Sequence, residues 1–134
     1  MTGNDTPLRV IIAEDEPLAR QALRRFVAAA GGCMIVAEAE DLPSLRRLIG
    51  AQPADVLFLD ITMPGGSGLD AVPSVPASCA VIFTTAHAEH AAMAYQLDAV
   101  DYLVKPFGQD RVNEALGRVR RLRNTALPAT SERR

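Results

Sequence analysis

The sequence predicts an α/β protein built on a doubly wound, five-stranded parallel sheet of order 2-1-3-4-5. Three observations carry this. Five short runs, at residues 8–13, 33–38, 56–60, 80–84 and 100–104, are nearly continuous in apolar residues, as strands covered on both faces are. Helical stretches alternate with them, and no hairpin signal joins consecutive runs. Right-handed crossovers cover both faces of a parallel sheet only if the winding reverses once. For five strands this gives 2-1-3-4-5, with the switch point between strands one and three.

Residues 8–13 (LRVIIA) form the first strand, which runs into Glu14, Asp15 and Glu16. Pro17 suits the first helical position, where its missing N–H has no partner to lose. That helix reaches about Ala30, with Leu18, Ala22, Leu23, Phe26 and Val27 towards the core and Arg20, Gln21, Arg24 and Arg25 towards water. Gly31-Gly32 ends it. After the second strand, Asp41 opens a helix carrying Leu42, Leu45, Leu48 and Ile49, which stops at residues 50–53. The third strand, VLFLD, drives into Asp60 and the helix-hostile MPGGSG. Residues 68–72 have room for only a short helix, because Pro73 and Pro76 lack donors and clash with a preceding turn. The fourth strand leads into an alanine-rich helix over 86–97, and the fifth ends at Lys105-Pro106. A last helix over 109–123 turns Val112, Leu116, Val119 and Leu122 to the core. Residues 1–7 read as a disordered start, 8–123 as the domain, and 124–134, which lack periodicity, as a tail or linker.

At 134 residues, 49% hydrophobic and 22% charged, the chain has the length and composition of one domain with its own core. Its net charge of −2 gives no general attraction to nucleic acid, so this domain itself is expected to bind none. Neither a signal peptide nor a run of about 18 apolar residues is visible, which points to a cytoplasmic protein without a membrane partner. Cys33 and Cys79 read as small buried hydrophobes of a reducing compartment rather than a disulfide.

Ligands of an open α/β sheet bind outside the carboxyl ends of the strands, at the switch point. Alone, Asp60 would read as a carboxylate capping the turn after it. Glu14 and Asp15, at the end of the strand beside it, change that reading. At about 4 Å and an effective dielectric of about 20, each pair of like charges costs roughly 4 kcal/mol, so the cluster calls for protons or a cation. Hard oxygen ligands suit Mg²⁺, and the lack of His or Cys in the cluster argues against zinc. Lys105 ends the fifth strand across the crevice, placed to pair with Asp60 at rest and with a phosphoryl oxygen later. Thr85 brings a hydroxyl to the same edge. A carboxylate nucleophile, a divalent cation, a lysine and a hydroxyl are the equipment of phosphoryl transfer.

Four motifs in this order, the acid pair after the first strand, LD-x-x-MP-G around Asp60, FTTA from Phe83 to Ala86 and DYLVKPF from Asp101 to Phe107, resemble the receiver domain of two-component response regulators. DEPLAR (Asp15 to Arg20) and the stretch from Phe83 to Phe107 are most similar to the receivers of LytTR-type transcription regulators. The resemblance implies the flavodoxin-like (receiver) fold, with Asp60 as phosphoacceptor and Mg²⁺ as cofactor. Glu14 and Asp15 would form the acidic pocket, and Asp15, Asp60 and the Thr62 carbonyl would hold the ion. Thr85 and Lys105 would contact the phosphoryl group, and Tyr102 would be the aromatic whose rotamer follows Thr85. Lys105-Pro106 would be cis. Glu14 stands where Asp is commoner, and its longer arm implies contact with the metal through water. A sensor histidine kinase or phosphotransfer protein would be the phosphodonor. The domain would be a self-phosphorylating and self-dephosphorylating switch rather than an enzyme. Output would pass through the surface of the fourth helix, fifth strand and fifth helix to a LytTR-type DNA-binding domain outside this chain, or by direct protein contact or phosphotransfer in a single-domain regulator.

His87 and His90 read as exposed helix residues rather than metal ligands, with His87 close enough to the crevice to affect loss of the phosphoryl group. Arg118, Arg120, Arg121 and Arg123 read as a solvated face, or as partners of Asp98 and Asp101 on a second copy in a homodimer through that surface. An aspartyl phosphotransferase of haloacid-dehalogenase type would place a second Asp where Thr62 stands. A flavodoxin-like redox protein would need a phosphate-binding loop where Glu14, Asp15 and Glu16 repel one.

Overall fold

Neighbouring residues on a strand point to opposite faces, so a strand that is apolar throughout feeds two cores at once. The structure, a computed structural model, describes residues 6–132, and side chains through residue 124. Its elements are β1 (Leu8–Ala13), α1 (Pro17–Ala30), β2 (Cys33–Ala39), α2 (Leu42–Ala51), β3 (Val56–Asp60), β4 (Ala80–Thr85), α3 (Ala91–Gln96), β5 (Asp101–Val104) and α4 (Gln109–Glu132). The five strands form one parallel sheet of order β2-β1-β3-β4-β5, the predicted 2-1-3-4-5. Val10, Ile12, Phe58, Ile82 and Leu103 pack on one face against Leu23 and Val27 of α1 and Leu116 and Val119 of α4. On the other face, Ile11, Leu57, Leu59 and Phe83 meet Leu42 and Leu45 of α2, Ala71, and Ala94 of α3. This two-sided cover brings the ends of β1 and β3 side by side.

Several elements differ from expectation for local reasons. Thr62–Met63 and Gly66–Ser67 pair as a small antiparallel hairpin that the sequence reading omits. Pro64 and Gly65 turn it, with Gly65 and Gly66 at φ of 100° and 136°, where only glycine is at ease. The short third helix is a 3-10 helix over Gly68–Ser74 that holds Pro73 inside it. The helix expected over 86–97 is a 3-10 turn, Ala88–His90, followed by the six residues of α3. It ends where Asp98 takes a left-handed φ of 61°. Leu18, read as a core residue, is 72% exposed, and Leu122 is 56% exposed because α4 makes its last buried contact at Val119. α4 runs to Glu132 instead of ending near Arg123, because helical backbone bonds continue without the apolar periodicity that the sequence reading relied on. The expected disordered start lies mostly outside the described residues, as do residues 133–134 of the tail.

At the amino-terminal edge of the sheet, Asp55 ties three elements together. Its carboxylate accepts from the Arg9 backbone N–H at 2.8 Å, from Arg9 Nε and Nη2 at 3.1 and 3.2 Å, and from Arg123 Nη2 at 3.1 Å. Arg120 meanwhile donates to the carbonyls of Gly31 and Gly32, joining α4 to the end of α1. The basic run is therefore largely bound to its own domain rather than solvated. Burial raises the Asp55 pKa, but the Arg9 bonds and the two guanidiniums more than offset that and hold it below its ordinary value of 3.8. A depressed carboxyl pKa stabilises the fold above the unfolded value, and that contribution is lost as pH falls through the folded value. Asp55→Asn is expected to remove about 1–3 kcal/mol of stability at pH 7. In urea titrations the deficit should shrink once pH drops below about 4.

Candidate functional site: an acidic crevice at the carboxyl edge of the sheet

β1 ends at Ala13, and the Glu14 N–H is caught by the Ala39 carbonyl at 3.0 Å, so the chain leaves the sheet in a fixed direction. Glu16 then caps α1, accepting from the N–H groups of Leu18 and Ala19. Between them the Glu14 carboxylate turns inward and is 2% exposed, while Asp15 stays exposed. β3 delivers Asp60, 4% exposed, to the same level. The following loop is pinned by Ile61 N–H to the Thr84 carbonyl and by Gly68 N–H to the Ile61 carbonyl. Gly68 is required there, because a Cβ would run into the Asp60 carbonyl oxygen.

Glu14, Asp15 and Asp60 each present a carboxylate oxygen within 4.8 Å of the others. Lys105 reaches across from the end of β5 and bridges two of them, with Nζ 2.7 Å from Asp60 Oδ2 and 2.8 Å from Glu14 Oε1. The Lys105 N–H is held by the Thr85 carbonyl at 2.7 Å, and the Lys105-Pro106 bond is cis, as the family resemblance implies. Asp60 Oδ1 accepts from the Thr62 N–H at 3.0 Å. Three carboxylates and one ammonium leave two negative charges, the complement of one divalent cation. Burial pushes the Glu14 carboxyl up, as does the Asp60 charge, and Lys105 and the Glu16 N–H only partly counter them. For Lys105 burial lowers the pKa, yet the two carboxylates more than compensate and it lies above its ordinary value. The oxygen-only lining and the excess of negative charge suit a bound cation made for oxygen ligands.

The structure thus brings together Glu14, Asp15, Asp60 and Lys105. Thr62 joins them through its backbone. Thr85 ends β4 at the same edge and is 1% exposed, but its hydroxyl is bonded within the turn that follows it. Tyr102 is half-buried, and its ring meets Tyr95 of α3 edge-on at 5.8 Å. Two expectations change. His90 is half-buried, with Nδ1 3.2 Å from the Thr85 hydroxyl, whereas the His87 ring stays exposed, 3.6 Å from Glu89. An i, i+5 spacing gave no signal for that contact, because it depends on the 3-10 turn between the two residues. Asp101 is 2% exposed and faces its own chain: Arg111 Nη2 donates to Oδ1 at 3.0 Å, and Arg118 Nη1 lies 3.1 Å from Oδ2 as a poorly aligned ion contact. It is not free to pair with a second copy. Two hollows lie at the opposite edge, around Val75, Pro76 and Cys79, and the arginines at their rims, Arg9 and Arg123, are committed to Asp55.

Comparison with known proteins gives one consistent answer. The family model described as "Response regulator receiver domain" matches residues 10–117. The chain is 34% identical over 116 residues to the transcriptional regulatory protein LytR of Staphylococcus aureus, covering 84% of this chain and 47% of that protein. It is 34% identical over 118 residues to the sensory transduction protein LytT of Bacillus subtilis, covering 86% and 49%. The chain therefore spans about half the length of these relatives. Among solved structures it resembles the response regulatory domain of mrkE from Klebsiella pneumoniae, with a TM-score of 0.78, 29% identity and coverage of 86% and 97%. It also resembles TrrA of Thermotoga maritima, a response regulator in complex with Mg²⁺-BeF, with a TM-score of 0.74, 26% identity and coverage of 84% and 98%.

A cation bound only by the folded acidic crevice stabilises the fold by mass action. At a hundred times its Kd, Mg²⁺ should raise stability by about 2.7 kcal/mol. Thermal melts with and without Mg²⁺ should show this upward shift in wild type and its loss in Asp15→Asn and Asp60→Asn.

Proposed function

The chain belongs to the response regulator receiver domain family, and from that premise we propose that Asp60 is its phosphoacceptor. The observation that carries this is the Lys105 bridge between Asp60 and Glu14, with Asp15 converging on the same point. The donor is a sensor histidine kinase or a phosphotransfer protein. An Asp60 carboxylate oxygen attacks the phosphorus of a phosphohistidine, an O–P bond forms as the N–P bond breaks, and the imidazole leaves with the electron pair. Asp15, Asp60 and the Thr62 carbonyl would hold Mg²⁺, with Glu14 acting through water. When bound, the ion neutralises charge on the transferring phosphoryl group.

Lys105 releases Asp60 Oδ2 and turns its ammonium to a phosphoryl oxygen, while Thr85 gives its hydroxyl to another. The gain of charge at Asp60 then biases a two-state element, the surface that carries α3 and Tyr102. The domain acts as a signalling switch that turns itself over rather than as an enzyme on a separate substrate. Because the LytR relative is a transcriptional regulatory protein that is about twice as long as this chain, transcription through a LytTR-type DNA-binding domain is the output we favour. A cytoplasmic location follows from that role. Among the described residues, no helix is long and apolar enough to cross a membrane.

Intact mass after incubation with acetyl phosphate tests the assignment. Wild type should gain one phosphoryl group in Mg²⁺ and none without it, and Asp60→Asn should gain none in either condition. A gain that persists in Asp60→Asn would move the acceptor elsewhere. No gain from acetyl phosphate or from a cognate kinase would leave a receiver-shaped binding module.

A further inference from the structure

Among the described residues, every hydrogen bond of the Thr85 hydroxyl goes to the turn after it. It accepts from the His87 backbone N–H at 2.9 Å and lies 3.2 Å from His90 Nδ1 and 3.4 Å from the His87 carbonyl. With its oxygen already accepting, the hydroxyl has its own proton to give. Nδ1 of a neutral His90 that carries its hydrogen on Nε2 is the nearer acceptor. Thr85 is 1% exposed, so bulk water does not compete for that proton.

We propose that His90 is a positioning residue that holds the Thr85 hydroxyl away from Asp60 and so sets how much of the resting protein is ready to receive a phosphoryl group. The inference rests on Asp60 as phosphoacceptor and Thr85 as a phosphoryl contact. Threonine is stiff at χ1 and moves between discrete staggered wells, so one hydroxyl cannot serve His90 and a phosphoryl oxygen together. His90 is also the residue that opens α3, yet its side chain makes no capping bond to that helix. Its ring is therefore available to Thr85 rather than spent on helix formation. Tyr95, the fifth residue of α3, packs against Tyr102, so release of Thr85 frees the start of the same short helix that carries the output surface. His87 contributes its backbone N–H, which any residue at that position supplies, and its ring packs against the His90 ring at 5.4 Å; the side chain that meets the Thr85 hydroxyl itself is His90, and a change in phosphoryl turnover is expected to follow it.

When only part of a population can bind, the apparent dissociation constant is the intrinsic one divided by that fraction. Removing one neutral hydrogen bond from the competing state changes the ratio of the two by about fivefold. The test uses the 134-residue chain labelled at threonine methyl groups and titrated with beryllofluoride in Mg²⁺. In His90→Ala, the Thr85 methyl resonance should move towards its bound position before any ligand is added, and half-saturation should need about fivefold less beryllofluoride. His90→Asn, which offers an amide oxygen near the place of Nδ1, should restore both values. A wild-type response that depends on Asp60, with His90→Ala unchanged or with Asn behaving like Ala, would overturn the role of His90 alone. A Thr85 resonance that ignores beryllofluoride in wild type, or responds equally in Asp60→Asn, would overturn the phosphoacceptor reading and this inference with it.

Discussion

The site depends on one ammonium group held between two buried carboxylates. Without Lys105, Glu14 and Asp60 would face each other with their burial uncompensated, since both are nearly sealed from water. With it, the crevice keeps only the excess of negative charge that one divalent ion removes. Much of the surrounding architecture serves that placement. β1 and β3 must be neighbours for their terminal acids to meet, and β5 must lie two strands beyond β3 for a lysine arm to span the gap. The doubly wound order supplies both conditions from local rules about crossover hand and two-sided burial.

Because those rules are local, much of the site was legible before any coordinates. The continuous apolar strands gave the sheet order, and the strand ends gave Glu14, Asp15, Asp60, Thr85 and Lys105 as neighbours of one edge. What escaped was decided by geometry that carries no periodic signal. The hairpin at Thr62–Met63 and Gly66–Ser67 is two residues per strand, too short for alternation to register. The pairing of Asp101 with Arg111 and Arg118 looked from sequence like free surface charge, because nothing in a β-strand run says that its first residue faces a helix ten residues later. The split of the fourth predicted helix into a 3-10 turn and α3 moved His90 by enough of a turn to meet Thr85. Leu18 followed the helical period yet is 72% exposed, in the first turn of α1, and belongs to neither core.

The two ends of the sheet are held very differently. At the amino-terminal edge, Asp55 gathers Arg9 and Arg123, while Arg120 ties α4 to the end of α1. At the carboxyl edge, the β4–β5 side carries α3, six residues with one buried side chain, Ala94, and a tyrosine pair. A helix of that length has no stability of its own and exists only because it is docked. Local opening is therefore cheapest on the side that carries α3, while the far edge is tied by its ion pairs and carbonyl bonds.

The brevity of α3 also bears on how such a protein diversifies. Its exposed residues, Met93 and Tyr95 among them, share no side chain with the acidic crevice, which is built from β1, β3 and β5. Substitutions there can reshape the surface the domain presents without changing any side chain of that crevice. A duplicated copy of this chain can thus acquire a new listener through a handful of surface changes, and cross-talk with the parent falls as those changes accumulate.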